Sequence, residues 1–177
     1  MRLQSGLWGK SGDQRKRKQN LAFDSREQRR IMGHFATGVT VVTTRHGDQF
    51  FGMTANAVAS LSLDPPQILV AVDRRAQMHE ALLATRFFAV NVLDERQEEI
   101  SRRFALRGPK EWSDLKLTTS VTGAPIFEGA LAYLDCQLAE VLPGGDHQIF
   151  IGEIVAGDAT DGRPLMYYRG AYVRLPE

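Results

Sequence analysis

What most constrains this chain is a series of short β-rich runs with room between them for only short helices. Val39 to Thr44 (VTVVTT), Gln67 to Val72 (QILVAV) and Phe87 to Leu93 (FFAVNVL) are dense in β-branched and aromatic residues and read as buried strands. Ala132 to Leu138 alternates, with Ala132, Leu134, Cys136 and Leu138 on one side and Asp135 and Gln137 on the other. Gln148 to Ile154 (QIFIGEI) returns from it through a turn at Pro143-Gly144-Gly145. His46-Gly47-Asp48 reads as another turn, and Arg169-Gly170 as the tip of a hairpin between Leu165–Tyr168 and Ala171–Leu175. Met78 to Ala84 and Gln97 to Phe104 predict short helices, the second with Ile100 and Phe104 on one side. An earlier helix is expected after Asp24, with Glu27 as its reciprocal capping partner. Ile31, Met32 and Phe35 then recur at helical spacing, and Gly38 is the expected stop. Strands this closely spaced predict a barrel and not a βαβ sheet, in a mainly β chain with short peripheral helices.

The chain has 177 residues, a length that suits one domain. Residues 1 to 20 are polar and carry the cluster Arg15-Lys16-Arg17-Lys18. They are expected to form a flexible, solvated tail, with the ordered domain spanning 21–177. The net charge of +1 creates no global field for nucleic acid, so no nucleic-acid partner is expected. No apolar run reaches the ~18 residues of a membrane span, and the N-terminus lacks a signal-peptide core. The expected location is the cytoplasm, away from the membrane. The single cysteine, Cys136, can form neither an internal disulfide nor a cysteine-based zinc site, and it is expected to be a small buried hydrophobe.

No G-x-G-x-x-G occurs, which argues against a Rossmann site. His34, His46, His79 and His147 show no metal-ligand spacing, and no G-x-S-x-G elbow is present. One stretch does carry chemistry. Read as a single extended segment, Met53 to Leu63 places Met53, Ala55, Ala57, Ala59, Leu61 and Leu63 on one face and Thr54, Asn56, Val58, Ser60 and Ser62 on the other. Solvated strand faces usually carry Lys and Glu, but this one has no charge. Its alanines leave the backbone open to a flat ligand. Asn56 and backbone N–H groups can donate to such a ligand, Ser60 and Ser62 can hold a polar chain, and Arg74 or Arg75 stands at the end of the next strand. Taken alone, these residues describe a polar ligand on a small-residue strand.

The stretch from Phe51 to Ile68, FGMTANAVASLSLDPPQI, resembles the signature of the short-chain flavin reductase family, the reductase components of two-component flavin-dependent monooxygenases. Further segments resemble the family in the same order: Phe35 to Thr43, Arg75 to His79, Phe88 to Leu93, Gly145-Asp146-His147 with Ile149 to Glu153, and Pro164 to Tyr172. The resemblance implies an FMN-binding split β-barrel, usually a homodimer. It implies NAD(P)H:flavin oxidoreductase activity, with NADH or NADPH reducing FMN or FAD and reduced flavin passing to a partner monooxygenase. It places Thr37, Gly38, Val39, Thr40, Thr54, Ala55, Asn56, Ala57, Ser60 and Leu61 at the flavin, Arg75 and Ala76 at its phosphate, and His147 near the nicotinamide. It names no catalytic side chain, because hydride transfer between the two rings is direct. By its residues alone, His147 is a solvated turn residue. Ala76 and Met78 depart from the family, which often has hydroxyl residues at both positions. Two alternatives remain: a flavoprotein that keeps its flavin and reduces a ferric complex or quinone, and a non-catalytic flavin-binding module.

Overall fold

A computed structural model describes residues 23–176, so the expected tail and its basic cluster lie outside the described residues. In chain order the elements begin with α1 (Ser25–Met32), β1 (Thr37–Gly38), β2 (Thr40–His46), β3 (Gln49–Ala55), β4 (Val58–Leu63), β5 (Pro66–Asp73), α2 (Gln77–Thr85) and β6 (Phe87–Val92). They continue with α3 (Glu98–Ala105), β7 (Leu117–Thr118), β8 (Ile126–Phe127), β9 (Ala132–Gly144), β10 (His147–Ala159), β11 (Met166–Tyr168) and β12 (Ala171–Val173). The chain is mainly β, as expected. Seven strands form one antiparallel sheet in the order β3-β2-β6-β9-β10-β5-β4.

That order has a geometric consequence. β3 and β4 are the two edges of the sheet, yet only Asn56 and Ala57 separate them along the chain. Successive Cα atoms are ~3.8 Å apart, so Ala55 and Val58 can be no more than about 11 Å apart. The sheet must therefore curl until its edges approach at this corner. The Ala57 carbonyl fixes the corner by accepting from the Ala71 N–H at 3.0 Å.

The predicted single strand from Met53 to Leu63 is thus corrected to two strands. Its alternation also fails past the corner. Val58, expected among the polar residues, lies opposite Val70 and packs on the core, while Ala59, Leu61 and Leu63 are exposed. The inward side of β4 is set by its register with β5, and a bulge between Ser60 and Ser62 shifts the phase again.

β2 is buried on both faces, which explains its continuous VTVVTT run. Val42 joins Ile68, Val70, Phe88 and Phe150 under Met78 and Leu82 of α2. Val41, on the other face, joins Leu93, Phe104, Phe127 and Leu165 under α3. Residues 106–131, which carry no strong periodicity, supply β7 and β8 and close over this second cluster.

α1 departs from expectation in three ways. Asp24 does cap it, accepting from the Arg26 N–H, but the Glu27 carboxylate pairs with the Arg30 guanidinium (2.7 and 2.8 Å) and not with the cap. A guanidinium one turn along offers two charge-assisted donors, which outcompete a single backbone N–H. The helix ends at Gly33, whose N–H donates to the Arg29 carbonyl, and Gly38 instead lies in β1. Ile31, Met32 and Phe35 stay exposed, and no residue of α1 is buried. The hairpin at Arg169-Gly170 is as expected, with φ of +49° and +81° matching the two left-handed positions of a tight hairpin turn.

Candidate functional site

A cavity of about 300 Å3 opens where β3, the β5–α2 junction and the loop after α3 meet; Thr54, Arg75, Ala76, Met78 and Lys110 are among its walls. Local sequence builds the junction. The Asp73 carboxylate ends β5 by accepting from the Arg75 N–H at 2.9 Å and from the Arg75 guanidinium at 2.8 and 3.1 Å. The pair is too exposed to add much stability, but it aims the guanidinium. The hydrogen bonds from the Arg75 guanidinium and N–H hold the Asp73 carboxyl well below the usual carboxylate range.

Ala76 is the N-cap of α2, and it has no side-chain oxygen to accept from the first turn. The opening N–H groups of the helix keep their capacity to donate to an anion, and the positive end of the helix dipole adds to it. Lys110 stands on the opposite wall, its ammonium bonded to the Leu106 carbonyl and its pKa lowered by burial. Desolvation strengthens the pull of such a charge on an anion. Thr54 is fastened to α3, its hydroxyl donating to the Ser101 carbonyl at 2.6 Å.

His147 joins this junction from the neighbouring strand. It is the first residue of β10 and lies in register with Asp73. Gly145, at φ +73°, permits the tight turn before it, and the Arg74 N–H donates to the Asp146 carbonyl at 3.1 Å. The hairpin tip is therefore tied to the end of β5. The ring of His147 bonds Asp146 through Nδ1 at 2.7 Å, which leaves Nε2 free of bonds to described residues. The imidazole in turn lowers the pKa of Asp146.

The remaining residues named from the sequence fall into separate groups. Asn56 lines a second hollow of about 350 Å3 with Phe35, Tyr167 and Arg169. Nearby in sequence, Thr37 has a buried hydroxyl without a partner among the described residues, and a Cβ at Gly38 would meet nothing within 4 Å. Val39 is engaged in the fold: its side chain is buried, and its N–H and C=O bond Leu165 and Leu93. Thr40 donates its hydroxyl to the Ala55 carbonyl at 2.7 Å, and Ala55 is buried. Ala57 forms the corner described above. Ser60 and Leu61 stand on the open face of β4. Ser60 is opposite Ile68, five positions along β5 from Asp73 and so about 17 Å from it. Sequence reasoning did not single out Asp73, Arg107 or Lys110. A carboxylate two residues before Arg75 was the available signal for Asp73, whereas the two basic residues lie in a loop without periodicity.

Among the described residues, no group of three or more His, Cys, Asp or Glu side chains is placed to hold a metal ion. Cys136 is buried, and its thiol is pushed up to about 12 by that burial and, secondarily, by Asp135. A neutral, enclosed thiol supplies no redox chemistry.

The profile of the flavin reductase like domain matches residues 32–176. This chain belongs to the flavin reductase family. The reductase subunit HsaB of a flavin-dependent monooxygenase from Mycobacterium tuberculosis is 40% identical to it over 156 residues, 86% of this chain and 83% of the relative. An NADH-dependent FAD reductase from Streptomyces globisporus is 40% identical over 156 residues, 85% of each chain. The solved structure of the NADH:FAD oxidoreductase SgcE6 from Streptomyces globisporus, in complex with NAD and FAD fragments, matches with a TM-score of 0.82. It is 37% identical and covers 86% of this chain and 93% of that one. This flavin reductase family member also fits a phosphorylated flavin by its own residues, since uncapped N–H groups, Arg75 and Lys110 converge on one cavity.

Proposed function

We propose that this protein is an NADH-dependent flavin reductase that reduces FMN or FAD and supplies the reduced flavin to a flavin-dependent monooxygenase. The observation that carries the reading is the junction of β5 and α2, where a cavity lined by Arg75 and Lys110 lies beside the hairpin bearing His147. Its relatives' names supply the nicotinamide and the monooxygenase partner. With both ligands bound, hydride passes from nicotinamide C4 to flavin N5, so the protein's task is stacking distance and angle. Arg75, Lys110 and the first N–H groups of α2 hold the flavin phosphate. Thr54 and Asn56 meet the ring system, with the Thr37 hydroxyl and the open backbone of Gly38 beside them. Ala76 keeps the helix end unobstructed.

The curled sheet serves as a split barrel, and two copies form a homodimer. Support for the dimer is the exposed apolar strip of β4, where Leu61 is 45% and Leu63 89% accessible. In a dimer, Ser60 and Leu61 lie at the interface, which gives them access to the partner's site. A cytoplasmic location belongs to the same proposal, supported by a lone cysteine kept as a buried thiol.

The test is NADH oxidation by the purified protein with FMN, FAD or riboflavin added. Continuous oxidation that depends on added flavin is expected. No oxidation with any flavin rejects the reading, and turnover without added flavin means that the protein retains its own. Sedimentation of the same preparation is expected at twice the chain mass; a monomer removes the dimer. His147→Ala is expected to raise the KM for NADH about tenfold, the loss of one good hydrogen bond, while flavin affinity moves less than about twofold. Equal kinetics for both substrates would remove His147 from the site.

A further inference from the structure

In a flavin reductase of this shape, the two ligands are held by different elements: the flavin phosphate by the first turn of α2, and the nicotinamide by His147, which opens β10. Only Arg74, Arg75 and Ala76 join β5 to α2, and Ala76 gives the helix no side-chain cap. Met78 and Leu82 hold α2 to the core, but apolar packing has no direction and does not by itself fix the first turn against β10. His79, the third residue of α2, supplies a directional contact. It is 6% exposed, and its Nε2 is hydrogen-bonded to the Gln148 amide oxygen on β10. Its ring also stands edge-on to Phe150 of the same strand, at 5.7 Å and 83°. The other ring nitrogen, Nδ1, is 3.3 Å from the Glu80 carboxylate, a side chain that is 81% exposed.

An amide oxygen only accepts, so Nε2 carries the proton and donates to Gln148. Because His79 is buried, that N–H finds no water if the bond opens. Side chains alternate along a strand, so Gln148 turns toward α2 while His147, one residue earlier, turns to the opposite face. Gln148 is held in the sheet between Val72 of β5 and Pro143 of β9, so it yields only if the hairpin moves with it. The bond therefore joins the turn that takes the phosphate to the strand end that takes the nicotinamide.

We infer that His79 is a positioning residue for hydride transfer, holding the first turn of α2 against the His147 end of β10 through Gln148. The inference rests on the flavin reductase reading. His79 acts on neither ligand directly. It sets the distance and angle between the two rings through the elements that hold them, and a misplacement of ~1 Å there can cost about a hundredfold in rate.

Single-turnover reduction tests it. The protein is loaded with FMN, mixed with saturating NADH, and the bleaching of bound flavin is followed. Only flavin-loaded molecules report, so partial unfolding lowers the amplitude and leaves the rate alone. His79→Leu and Gln148→Leu are each expected to slow the step about tenfold, while FMN affinity moves less than about twofold. Gln148 is only partly buried, so Gln148→Leu decides the matter if His79→Leu does not fold. His79→Gln puts an amide N–H where Nε2–H stood and is expected to bring the rate back to within about twofold of the unmodified protein. Unchanged rates in the leucine variants overturn the inference, as does a His79→Gln variant no faster than Gln148→Leu. Loss of FMN binding in the leucine variants also overturns it, by assigning the bond to holding the flavin. Each of these leaves the reductase reading intact. Failure of the unmodified protein to reduce any flavin overturns the reductase reading itself.

Discussion

Asn91→Leu is expected to destabilise the protein by about 3 kcal/mol, read as a fall in Tm of about 6–12 °C for a domain of this size. Asn91 is fully buried on β6, between the two core clusters. Its amide nitrogen donates to the Val41 carbonyl and the Thr43 hydroxyl, each at 3.1 Å, and its amide oxygen accepts from the Phe127 N–H at 2.9 Å. Leucine matches the size of the side chain but makes none of these bonds. The Phe127 N–H would then be buried without its acceptor, which by itself costs about 1–3 kcal/mol. The effect reaches the site, because Phe127 packs on Phe104 at 5.4 Å and Phe104 lines the cavity. A thermal melt shifted by less than about 2 °C would show that water replaces the amide, and the network would lose its assigned role.

Gly52→Ala is expected to cost about 2 kcal/mol and to weaken flavin binding about tenfold. Gly52 lies on β3, in the wall of the cavity that Arg75 and Lys110 also line. A Cβ there would sit 2.4 and 2.6 Å from Phe104 ring atoms and 3.0 Å from Trp112. The Phe104 ring cannot swing clear, since it is 1% exposed and packed against Trp112 and Phe127. Relief must come from α3 moving off β3, which breaks the Thr54–Ser101 bond and widens the cavity at its phosphate end. Flavin titration together with a thermal melt checks both effects. A stable variant with unchanged affinity would mean that α3 adjusts without moving the cavity wall.

The strands were legible wherever burial is symmetrical or the alternation is uninterrupted. VTVVTT and FFAVNVL lie under two covers, so every residue reports the same environment. The Arg169-Gly170 hairpin was legible because its left-handed turn is a local demand on the backbone. α1 was misread at its end. Its apolar residues have the spacing of a packed face, yet nothing among the described residues covers them. Periodicity records which side is apolar, not whether a partner element arrives.

The Phe51–Ile68 signature shows the same division. By itself the sequence determined a mainly β chain, its membership of the flavin reductase family and the uncharged small-residue character of that stretch. Each is written in residue identity and local spacing. Only the tertiary structure decided that the stretch bends at Asn56-Ala57, that Thr54 goes to the cavity while Ser60 and Leu61 go to the opposite edge strand, and that Arg107 and Lys110 face Arg75. The reason is that the strands on either side of that corner take their inward faces from different partners, β2 and β5. Strand register is a non-local contact, and one residue of slip or one bulge reverses every side chain beyond it.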